Sequence, residues 1–76
     1  MSRWLPCKRQ DFIRKLGRLG FTGPFAGGKH PYFRHGRYRL AIPRYDELSV
    51  PKLREMIREI ETIIGRQISA EEWNSL

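Results

Sequence analysis

The chain has 76 residues, 39% hydrophobic and 30% charged, with a formal net charge of +7 at pH 7. A chain this short buries only about 60% of the surface its unfolded form exposes, which points to one domain over residues 1–76 and argues against a large enclosed cofactor cavity. Residues 1–44 carry eleven Lys and Arg against Asp11 alone, and residues 45–76 carry four against seven acids, a field that makes a polyanion such as nucleic acid the first partner to consider, with a merely well-solvated surface as the plain alternative.

Trp4 and Leu5 read as a lead-in, and Pro6 marks where a first helix can begin. Cys7 is the only cysteine and has no acid or His beside it to form a nucleophile constellation, so a structural thiol is expected. No apolar run is long enough for a signal-peptide core or a membrane span, and the chain reads as cytoplasmic. Between Lys8 and Leu19 the apolar Phe12, Ile13, Leu16 and Leu19 fall on one helical face, with Arg9, Arg14, Lys15 and Arg18 on a basic outer face, and Gly20 supplies the left-handed stop.

Phe21 to Ala26 reads as a weak first strand, with Phe21, Gly23 and Phe25 alternating. A second strand is expected over His30–Arg34 and a third over Arg37–Ile42, joined by a tight turn at His35-Gly36. Alternation places Phe33, Tyr38, Leu40 and Ile42 towards a core and leaves His30, Tyr32 and Arg34 on the opposite face. Pro43 stops the third strand. Ser49 with Pro51 then opens the main helix, in which Leu53, Met56, Ile57, Ile60, Ile63 and Ile64 repeat at three and four up to Gly65. Ser69 and Glu72 have capping-box spacing, so a short C-terminal helix should return Trp73 to the body. The expected class is α+β: a three-stranded antiparallel sheet with both long helices on one face and the other face bare.

Chemistry concentrates in Gly27-Gly28-Lys29-His30, where a flexible backbone and a cation precede a side-chain type suited to moving protons near neutrality. The plain alternative is a surface histidine without a role. The glycine lead, the start-of-strand position and the basic half of the chain argue against it. His35, in a turn, has at most a secondary role. The two histidines are five apart with no further ligand at a metal spacing, and the glycines lack a phosphate-loop pattern, so neither metal nor nucleotide cofactor is expected. What remains is a metal-free reaction on RNA, whose 2′-hydroxyl supplies the nucleophile. His30 would move the proton, with Lys29, Arg34 or Arg39 stabilising phosphate charge and Tyr32 stacking on a base or filling space.

Lys8 to Phe21, Gly28-Lys29-His30, Leu40-Ala41-Ile42-Pro43-Arg44, Glu47-Leu48 and Lys52 to Ile57 together resemble, in that order, the HicA-type toxins of bacterial toxin-antitoxin systems. The resemblance implies a double-stranded-RNA-binding-like fold and a metal-independent, mRNA-cleaving endoribonuclease whose essential histidine falls on His30. It also implies a HicB-type antitoxin covering this surface. Lys29, Pro31 and Tyr45 depart from the family pattern, Tyr45 standing where a second His is common. The RNA-binding set expected from the combined reading is Lys29, Tyr32, Arg34, Arg37, Arg39 and Arg44. The alternative is a non-catalytic RNA- or DNA-binding module of the same fold.

Overall fold

The computed structural model describes residues 2–76, and its elements run in the order β1 (Cys7–Lys8), α1 (Arg9–Arg18), β2 (Thr22–Phe25), β3 (Tyr32–His35), β4 (Tyr38–Ala41), β5 (Glu47–Leu48), α2 (Val50–Ile64) and α3 (Ala70–Ser75). Strands β2, β3 and β4 form one antiparallel sheet in that spatial order, so the expected α+β class with a three-stranded sheet holds. β1 and β5, which periodicity over two residues cannot reveal, form a separate antiparallel pair, Cys7 opposite Leu48. This clip closes the start of α1 against the start of α2.

Helix α1 ends as its glycines require. Gly20 has φ of +93°, Gly20 N donates to Gly17 O and Phe21 N to Leu16 O, a pattern that satisfies the last carbonyls as the chain reverses. Helix α2 begins at Ser49, whose hydroxyl accepts from Lys52 N at 3.4 Å, and ends at Gly65 with φ of +77°. Phe12 and Leu16 from α1, Phe33, Leu40 and Ile42 from the sheet, and Leu53, Met56, Ile57 and Ile60 from α2 make one buried cluster. Both long helices therefore lie against one face of the sheet, and the other face is open.

Lys15 is buried, only 9% exposed, and not on a basic outer face. Its Nζ donates to the Trp73 carbonyl at 2.8 Å and lies 5.1 Å from that ring, because α3 packs over α1 where the helix alone would have met water. Tyr38 is 50% exposed even though it shares the core-facing side with Leu40, since it sits at the end of the hairpin beyond the helices. The turn is Gly36-Arg37 and not His35-Gly36: Gly36 takes φ of +61°, and His35 stays in β3, half-buried, its ring 5.0 Å from that of Phe21. Finally, Ser69 caps α3 through Glu72 N, but the Glu72 carboxylate pairs with Arg66 at 2.7 and 2.8 Å and so does not complete the reciprocal box. That pairing holds the Glu72 carboxyl below its usual range.

Burial, partly offset by the Lys15 charge, raises the Cys7 thiol above its ordinary pKa. The native thiol should therefore alkylate slowly with iodoacetamide, reaching the rate of a free thiol only in denaturant. Equal rates in both conditions would mean that the β1–β5 clip opens readily.

Candidate functional site

β2 determines which side chains reach the open face. Thr22 is opposite Arg34 and Phe25 opposite Tyr32, so three steps along β2 match two along β3, a bulge with one extra residue at Gly23-Pro24. Gly23 has φ of +143°, and a Cβ there would stand 3.1 Å from the Phe33 ring, so only glycine suits the bulge. The extra residue overturns the expected alternation: Phe21 enters the core, whereas Phe25 emerges 40% exposed with its ring 5.5 Å from that of Tyr32. Arg39 places its guanidinium 4.9 Å from the Tyr32 ring, and Arg34 stands directly across from Arg39. Tyr32, Arg34 and Arg39 are thus brought together as expected, with Phe25 as a member that the alternation concealed.

His30 is not in a strand. β3 begins at Tyr32, and Gly28, Lys29 and His30 form an exposed bend, because Pro31 lacks the N–H that would extend the ladder while its carbonyl still accepts from Ile42 N at 3.0 Å. The bend is built on Gly27. A Cβ there would collide with the His30 carbonyl oxygen and stand 3.2 Å from Tyr32 Cδ1. Gly27→Ala should displace the bend and cost about 1–3 kcal/mol, as overpacking does, measured as a lower urea midpoint. An unchanged midpoint would show that the bend relaxes freely.

Two open hollows flank this region. One, about 290 Å³, is lined by His30, Ala41, Tyr45, Lys52 and Glu59 among others. The second, about 450 Å³, is lined by Arg9, Gly27, Arg44 and Asp46 among others. Arg9 holds the segment between them: its Nε donates to Pro43 O at 3.2 Å and its backbone N to Asp46 O at 2.9 Å. Arg9 is thereby a support for Arg44 and Tyr45, not the free outer cation expected of it. Lys52 is also shared with Glu55 at 3.7 Å, an exposed i,i+3 pair of little energetic weight.

The expected site residues therefore divide. Lys29 and His30 share the bend, Tyr32, Arg34 and Arg39 share the open face, Arg44 lines the second hollow, and Arg37 lies at the far end of the β3–β4 hairpin. Periodicity did not reveal Tyr45, Lys52 and Glu59 as neighbours of His30, because loop and α2 meet only in the folded chain. The residues lining this hollow carry an imidazole, an ammonium, a phenol and a carboxylate, groups able to take a proton, give one and neutralise a phosphate. Among the described residues no side chain hydrogen-bonds to the His30 imidazole, and no group of three or more His, Cys, Asp and Glu could hold a metal ion. No described helix is long and apolar enough to cross a membrane.

Comparison with protein-family models, curated proteins and solved structures finds no match.

Proposed function

We propose that this chain is a metal-independent RNA endonuclease, the toxin of a HicA-type pair acting on mRNA in the cytoplasm, built on the double-stranded-RNA-binding-like arrangement of helix, three strands and helix. The observation that carries the reading is that exposed His30 lines one open hollow with Lys52, on a chain whose segment from Phe12 to Tyr45 has no acid. In this reading His30 takes the 2′-hydroxyl proton as that oxygen attacks the adjacent phosphorus. Lys52, with Lys29 next to His30 in sequence, offsets the charge of the phosphorane, and the 5′-oxygen leaves with a proton delivered by imidazolium, by the Tyr45 hydroxyl or by water. The products are a 2′,3′-cyclic phosphate and a 5′-hydroxyl. A HicB-type antitoxin would cover the basic face.

The test is incubation of the purified protein with single-stranded RNA in EDTA, scoring new 2′,3′-cyclic phosphate ends. Their appearance is the expected result. Binding without cleavage would overturn the enzyme reading and leave the second one, a non-catalytic nucleic-acid-binding module.

A further inference from the structure

We infer that the open sheet face is a stacking platform for single-stranded RNA, with unpaired bases lying on the Phe25–Tyr32 ring pair and phosphates meeting Arg34 and Arg39. The inference deepens the proposed function by naming the form of RNA the protein takes, and it rests on that reading.

Three observations carry it. First, the Gly23-Pro24 bulge turns Phe25 out of the core and sets it 5.5 Å from Tyr32 on a face that no other element covers, leaving a 40% exposed apolar ring on a small domain that needs buried rings for stability. Second, Arg34 and Arg39 are directly opposite one another across β3 and β4, where like charges destabilise a sheet. No acid occurs between Phe12 and Tyr45, and among the described residues neither arginine has an ion-pair partner, so a polyanion is the ligand that would relieve the repulsion. Third, Ala41, the cross-strand partner of Tyr32, is also on the rim of the hollow that contains His30. An RNA strand crossing the platform therefore runs to the hollow that His30 lines. A duplex hides its base faces within the stack and has nothing to offer the two rings, whereas every unpaired base does.

The experiment measures binding of the parent chain to fluorescent 2′-O-methyl RNA, which cannot be cut by 2′-hydroxyl attack, as a single-stranded 12-mer and as a duplex of equal length. Phe25→Ala and Tyr32→Ala are each expected to weaken single-strand binding about 5- to 150-fold, the loss of one stacked base, with little change for the duplex. Tyr32→Phe should bind as the parent does, because the ring and not the hydroxyl acts. Arg34→Gln and Arg39→Gln should each lower the slope of log affinity against log salt by about one. Both ring variants are at exposed or half-exposed positions, and circular dichroism will show that they fold.

Ring variants that bind single strands as the parent does, or that lose single-strand and duplex binding equally, would overturn the platform. So would a parent that binds no RNA but captures an acidic protein on this face. The two readings fail separately: RNA cleaved with ring variants unaffected removes the platform alone, and ring-dependent binding without cleavage removes the nuclease alone.

Discussion

Replacing His30 with Ala is expected to reduce cleavage of unmodified RNA by about 10²–10⁴-fold, the usual contribution of a positioned proton-transfer group. His30 is exposed in a bend and makes no described side-chain hydrogen bond, so the same substitution should move stability by no more than about 0.5 kcal/mol. Loss of cleavage with an unchanged unfolding midpoint is therefore the signature of a chemical role. Because the hollow is open, added imidazole should restore part of the rate. Lys52→Ala should also slow cleavage, through lost charge stabilisation, and Tyr45→Phe tests one of the three proton donors: a slow variant assigns the leaving-group proton to the phenol, and an unaffected one assigns it to His30 or water. If His30→Ala cuts RNA as fast as the parent, His30 is not the proton-transfer residue and the assignment of this hollow falls.

The largest effect on folding is expected from Trp73→Ala. Trp73 is 1% exposed, its ring centroid lies 5.6 Å from that of Phe12, and the Lys15 ammonium approaches its face. Removing a buried tryptophan costs about 3–5 kcal/mol, against a total on the order of 5–10 kcal/mol for a domain of this size. The loss should be cooperative with α3 as a whole. Six residues are too few to persist as a free helix, and this one is held by Trp73, by Lys15 Nζ on Trp73 O, by Arg14 on Leu76 O and by Asn74 on Arg3 O. The expected readout is a urea midpoint reduced by a third or more, or a chain unfolded without denaturant. Lys15→Met tests the same junction more gently, since it keeps the stem but leaves the Trp73 carbonyl without its donor, a loss of about 1–3 kcal/mol. A Trp73→Ala protein within about 1 kcal/mol of the parent would mean that α3 does not close the core.

The elements with strong periodicity were legible in advance. The main helix was marked by Ser49, Pro51 and Gly65 at its ends and by apolar residues at three and four between them, and these features are observed from Val50 to Ile64. The β3–β4 hairpin was legible from its alternation, with Phe33 and Leu40 facing the core and Arg34 and Arg39 facing out, but its register was not: the expected His35-Gly36 turn would set Arg34 opposite Arg37, and the Gly36-Arg37 turn sets it opposite Arg39. The site was legible only in part. Tyr32, Arg34 and Arg39 follow from period two, but His30 was expected in a strand and lies in a bend, because the strand pattern ran through a proline that ends the ladder.

By itself, then, the sequence determined the charge asymmetry, the glycine stops, the apolar helix faces and the order of the two long helices, the three sheet strands and the short last helix, since each depends on residues close along the chain. The tertiary structure alone decided three things. Docking of α3 buries Lys15, a cation that the helix would have left in water. The bulge at Gly23-Pro24 carries Phe25 to the open face, because one extra residue inverts the side of every residue after it. And the meeting of the 26–31 loop, the 43–46 segment and α2 puts His30 with Tyr45, Lys52 and Glu59. Such juxtapositions depend on how faces pack across distant parts of the chain, which no local spacing records.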